Sequence, residues 1–189
     1  MTHKKGEIIT EYVAHRREDG EEQSVFAHLN EAAAIAADCL SSCELSNTAH
    51  LSSLLHDLGK YTSEFQEYIC SSRVAPRGTV IHSFQGCQFL LKNYHKSEDG
   101  YERLTAEIIA YAIGAHHGLF DCVEQSKRLG FEYRKEKESI GYSEAVAAFF
   151  SEVCKKEDID DCFYKSVEEI KNAVQSDSHP VFGNTALLR

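Results

Sequence analysis

The stretch LSSLLHDLGKYTSEF at residues 51–65 places an imidazole, a carboxylate and an ammonium (His56, Asp57 and Lys60) at the end of an apolar helical run of Leu51, Leu54, Leu55 and Leu58. His28, His82 and the adjacent pair His116-His117 also lie on or at the end of apolar helical runs rather than in polar loops. Imidazole nitrogen with carboxylate oxygen suits Mn, Fe, Ni, Co or Zn better than Ca. One or two such ions satisfy together polar groups whose separate burial near helix ends is costly. Adjacent helical residues point about 100° apart, so His56 and Asp57 reach one ion together only at a splayed helix end, or with Asp57 bridging two ions. A bridging carboxylate between two histidine sets is the arrangement of a binuclear hydrolase. Lys60, one turn after His56, is spaced to lean over the same site and meet a phosphate. Taken singly, each feature has a plainer structural reading. A lone histidine on an apolar helix is more often a satisfied core residue, and a His-Asp pair near a helix end can serve as cap and dipole partner.

These side chains need helices to hold them. Only two prolines in 189 residues interrupt the chain. Residues 7–25 read as irregular, with short extended pieces around Ile8–Val13 and a turn at Asp19-Gly20. From Val25 to Leu40, alanines with Leu29, Ile35 and Leu40 recur at helical spacing. Ser46 or Asn47 is placed to cap the next helix, which runs to Leu58 and stops at Gly59 in the C′ position. Ser63-x-x-Gln66 reads as a capping box for a short helix through Ile69, and residues 71–80, with Pro76 and Gly78, as loop. His82 opens another helical run, and Thr105 caps one that ends at Gly118. A polar stretch from Cys122 to Ser139 precedes two more helices, Ser143–Lys155 and Ile159–Ser176. With no convincing strand alternation and no internal repeat, the expected fold is all-α: a single bundle of seven or eight helices.

Composition narrows the class further. The chain is 42% hydrophobic and 26% charged, normal for a soluble protein. No apolar run approaches the roughly 20 residues that span a bilayer, and MTHKKGEIITEYV has no apolar stretch resembling a signal peptide. The expectation is a cytoplasmic protein with no membrane partner. Seven cysteines (39, 43, 70, 87, 122, 154, 162) include no C-x-x-C pair, and Cys39 with Cys43 lacks the second pair a zinc site needs. They read as core or surface thiols of a reducing compartment. A net charge of −10 argues against clamping nucleic acid on the chain's own surface. Bound cations can invert the local potential, so a nucleic-acid enzyme stays open. The basic residues between Lys127 and Lys137 read as a solvated helix face.

The H…HD pattern is the signature of the HD metal-dependent phosphohydrolase superfamily. AHRREDG (14–20), QSVFAHL (23–29), LLHDLGKYTSEFQEYI (54–69), IHSFQG (81–86) and AIGAHHGLFD (112–121) resemble, in order and spacing, the motifs of the HD nuclease domain of the type I CRISPR-associated helicase-nuclease. The resemblance implies an HD-domain helical bundle over residues 1–189, an N-terminal part of a longer chain with a helicase portion. It implies that His28, His56 and Asp57 hold a first metal, and that Asp57 bridges to a second held by His82, His116 and His117. Lys60 would contact the scissile phosphate or help protonate the leaving group, with Ser83 and His15 in supporting roles. HD enzymes normally close the first metal's shell with a late Asp. Asp158, Asp160, Asp161 and Asp177 lie in unsuitable contexts, so that ligand is expected beyond Arg189, after the TALLR stretch.

The function implied is metal-dependent hydrolysis of single-stranded DNA in type I CRISPR interference. Two divalent ions (Mn, Ni, Fe, Co or Mg) would serve as cofactors. The partners implied are a helicase domain and the RNA-guided CRISPR surveillance complex (Cascade). The same H…HD core also serves nucleotide and cyclic-nucleotide phosphohydrolases and di-iron HD oxygenases. A metal-binding scaffold without turnover is a further alternative.

Overall fold

Val25, Leu29 and Ala33, four residues apart, form the buried stripe of helix α1 (Val25–Cys39), which Ser24 caps by accepting from the Ala27 N–H at 3.2 Å. The computed structural model describes residues 12–70, 80–118, 131 and 141–176. Among them six more α-helices follow: α2 (Ser46–Leu55), α3 (Ser63–Cys70), α4 (Phe84–Tyr94), α5 (Gly100–Gly114), α6 (Tyr142–Glu152) and α7 (Lys156–Gln175). Two 3-10 turns lie at Ser41–Cys43 and Leu58–Tyr61. The all-α expectation holds, with one addition. Strands β1 (Val13–Arg16) and β2 (Glu22–Ser24) pair antiparallel, with His15 opposite Gln23 and Gly20 at φ +89° in the connection. Strands of four and three residues are too short for alternation to register in sequence.

The elements close on one core of Leu29, Leu51, Leu55, Leu58, Tyr61, Phe84, Leu90, Ile109, Ile113, Phe149 and Phe163, all at most 1% exposed. Each such side chain contributes about 1.5–3 kcal/mol on burial. Helix α4 lies tightly against its neighbours: the Cys87 thiol donates to the Ala110 carbonyl at 2.9 Å, and a Cβ on Gly86 would sit 2.1 Å from the Leu55 carbonyl oxygen. No described helix is long and apolar enough to cross a membrane.

Several helix ends differ from expectation. Neither Ser46 nor Asn47 caps α2 with its own side chain; the Asn47 and Thr48 N–H groups donate at 2.8 Å to the carboxylate of Glu169 on α7. A remote anion thus occupies the positive end of the helix. Thr62 caps α3 in place of Ser63, accepting from the Phe65 N–H at 3.2 Å. Gln66 leaves the expected capping box: its amide accepts from the Val13 N–H at 2.9 Å and donates to the carbonyls of Val13 at 3.0 Å and Lys60 at 2.7 Å. Asp99 caps α5 through the Tyr101 and Glu102 N–H groups, and Thr105 is buried within that helix. Helix α2 stops at Leu55, and Gly59 sits inside the following 3-10 turn without positive φ. The expected loop over 71–79, the polar stretch apart from Phe131, Asp177 and the TALLR stretch lie outside the described residues.

Candidate metal centre

Because α2 ends at Leu55, His56 and Asp57 escape helical divergence. His56 keeps helical angles (φ −60°, ψ −39°), Asp57 turns to φ −113°, ψ 25°, and His56 Nε2 comes to 3.1 Å from Asp57 Oδ2. His28, on the first turns of α1, brings Nε2 to 2.9 Å from the same oxygen. The opposite oxygen, Oδ1, faces His116 Nε2 at 3.3 Å and His82 Nε2 at 3.6 Å. His82 lies in the segment just before α4 and His116 in the turn after α5. His117 Nε2 meets His82 Nε2 at 2.9 Å. All six sequence-selected residues therefore converge. They form two groups that share Asp57, one with His28 and His56, the other with His82, His116 and His117, and each spans no more than 4.8 Å between ligand atoms.

Ring orientation is set from behind. His56 Nδ1 donates to the Ser53 carbonyl at 2.6 Å, His116 Nδ1 to Ile113 at 2.7 Å and His82 Nδ1 to Val80 at 3.2 Å. With the proton on Nδ1, each neutral ring turns an Nε2 lone pair toward Asp57. Asp57 Oδ1 is buried and accepts no hydrogen bond among the described residues, although two imidazole nitrogens face it. Lone pairs gathered on an orphaned carboxylate oxygen are what a divalent cation satisfies, so the donor set fits a metal.

Protonation without a metal follows the same geometry. Burial by itself would raise the Asp57 carboxyl, but the imidazoles of His116, His28 and His56 gathered around it hold it far below the usual carboxylate range. Burial lowers the His116 imidazole, yet the adjacent Asp57 carboxylate and the bond to the Ile113 carbonyl outweigh that and raise it. His82 is pushed down to about 4, chiefly by burial and against the pull of Asp57.

Lys60 is 3% exposed, and its Nζ lies 2.9 Å from Asp57 Oδ2 and 3.2 Å from His15 Nε2. Phe65 lies beneath, 5.6 Å from the ammonium to the ring centroid, and packs against the His82 ring at 4.9 Å. Ser83 is buried before α4, outside both ligand groups. Asp158, Asp160 and Asp161 lie on α7 and belong to neither group; Asp160 pairs with Tyr94 and Lys156 instead. The residue that sequence undervalued is Gln66, whose three bonds tie β1 to the Lys60 turn. Its position in an S-x-x-Q pattern pointed to a local cap.

An all-α bundle with a buried carboxylate shared by two histidine groups defines an HD-type metal-dependent phosphohydrolase. The chain belongs to the family described as Cas3, HD domain, whose model matches residues 14–181. It is accordingly a divalent-metal-dependent nuclease domain of CRISPR defence, acting on phosphodiester bonds. No curated protein matches the chain.

Proposed function

We propose that the chain is a single HD nuclease domain over residues 1–189 that cleaves single-stranded DNA in type I interference, with the strand delivered by a helicase portion. In this reading His28, His56 and Asp57 hold one ion, and Asp57, His82, His116 and His117 a second. The observation that carries it is the division of Asp57: Oδ2 faces His28 and His56, while the orphaned Oδ1 faces His82 and His116. When bound, the ions neutralise non-bridging phosphate oxygens and supply the nucleophile at neutral pH. The chain's own groups do the rest. Ser53, Val80 and Ile113 carbonyls hold the imidazoles in their ligating tautomer, and Lys60 Nζ stands beside Asp57, where negative charge develops on the phosphate.

The net charge of −10 supports a division of labour in which the helicase supplies the basic track along the strand. The surveillance complex (Cascade) opens the duplex, and the whole operates in the cytoplasm. The test is to reconstitute the protein with Mn and offer single-stranded DNA, duplex DNA, deoxynucleoside triphosphates and bis-p-nitrophenyl phosphate. Cleavage of single-stranded DNA that His56→Ala abolishes is the expected result. Turnover of mononucleotides alone overturns the substrate assignment, and oxygen consumption with iron redirects the reading to oxygenase chemistry.

A further inference from the structure

His15 stands at the edge of the candidate metal centre with one nitrogen committed and the other without a partner among the described residues. Its ring meets the His28 ring edge-on, with centroids 4.7 Å apart at 79°. Nε2 lies 3.2 Å from the Lys60 ammonium. An ammonium has three donors and no acceptor, so Nε2 accepts and the proton of the neutral ring sits on Nδ1. That Nδ1 has no partner among the described residues, and His15 is exposed whereas Lys60 is buried. Placement is enforced from below: Gln66 bonds both the Val13 backbone on β1 and the Lys60 carbonyl, locking the strand to the turn. The neighbouring arginines are already paired, Arg16 with Glu22 and Arg17 with Glu21. His15 therefore offers an outward N–H that has no partner among the described residues.

We propose that His15 presents its Nδ1–H to a phosphate oxygen of the substrate strand, and that buried Lys60 acts from behind by fixing the tautomer. This rests on the phosphodiesterase reading of the centre and reassigns the phosphate contact expected of Lys60. A group that donates through Nδ1 has a distinctive substitution pattern. Asn places an amide nitrogen near the Nδ1 position, Gln places its amide where Nε2 bonds Lys60, and Phe keeps only the ring contact with His28.

The experiment measures inorganic phosphate binding to the Mn-loaded protein by calorimetry, with Mn stoichiometry and bis-p-nitrophenyl phosphate kinetics on the same samples. His15→Phe and His15→Gln should each weaken phosphate binding roughly tenfold, the loss of about one hydrogen bond to a charged group. His15→Asn should stay within about threefold of the parent, and KM should rise more than kcat falls in the two weakened variants. Mn stoichiometry should not change in any of them. Several outcomes overturn the assignment: no phosphate binding by the parent, equal losses in Phe and Asn, or retention in Gln with loss in Asn. Loss of an ion in His15→Phe also overturns it, since the ring would then act through His28. If phosphate binding follows the expected pattern while no phosphodiester is turned over, the nuclease reading fails and the His15 assignment stands.

Discussion

The Gly59 N–H donates to the His82 carbonyl at 3.2 Å, and this bond joins the segments that carry the two halves of the candidate metal centre. A Cβ on Gly59 would fall 2.4 Å from that oxygen and 2.2 Å from Gln85 Oε1, so only glycine permits the approach. Gly59→Ala should cost about 1–3 kcal/mol through overpacking, seen as a drop of several degrees in Tm. It should also weaken the His82 group's hold on metal more than that of the His28 group, because the strain falls on the His82 segment. Equal Tm and unchanged Mn binding by calorimetry would remove the structural reason given for this glycine.

Metal should stabilise the fold, because the two groups draw on α1, the turn after α2, the segment before α4 and the turn after α5. A ligand at 100 times its Kd adds about 2.7 kcal/mol, worth roughly 5–10 °C for a chain of this size. Thermal unfolding with Mn against EDTA measures this directly. Asp57→Asn should abolish the shift, and a shift that survives that change would place the ion elsewhere.

In EDTA the pH dependence should carry the mark of His82. Its folded pKa of about 4 lies below the ordinary 6.5, so the unfolded chain takes up a proton that the folded chain refuses. The associated stability is fully present above pH 6.5 and is lost as pH falls toward 4. His116, raised by the adjacent Asp57 carboxylate, works in the opposite sense: its contribution is present below 6.5 and lost as pH rises through its folded value. His82→Phe should therefore lose less Tm than the parent between pH 6.5 and 4.5. Parallel slopes for the two proteins would rule out the contribution assigned to His82.

Glu169 offers a change confined to the fold. Its carboxylate accepts from the N–H groups and side chains of both Asn47 and Thr48. Glu169→Ala should destabilise by about 1–3 kcal/mol, the range of a lost cap and unsatisfied partners. Mn stoichiometry should stay intact, which chemical denaturation and calorimetry can read in parallel.

The helices and the six candidate side chains that the structure brings together were legible in the sequence because both rest on local information. Burial every third or fourth residue marks a helix whatever it packs against, as Val25, Leu29 and Ala33 do on α1. Histidine and aspartate at a helix end have singly a plainer structural reading, and only their joint pattern points to metal chemistry. Tertiary structure decided how those ends finish and which way the donors point. The cap of α2 comes from Glu169, 122 residues from Asn47; Gln66 serves β1 and Lys60 instead of its own helix; Gly59 answers to His82 rather than to a C′ conformation. Tertiary structure also set Lys60 beneath His15 and left Asp57 Oδ1 without a hydrogen bond among the described residues. The physical reason is range. Periodic burial is a property of neighbours along the chain, whereas a hydrogen bond or a close backbone approach needs two groups whose meeting is determined only once the whole core has packed.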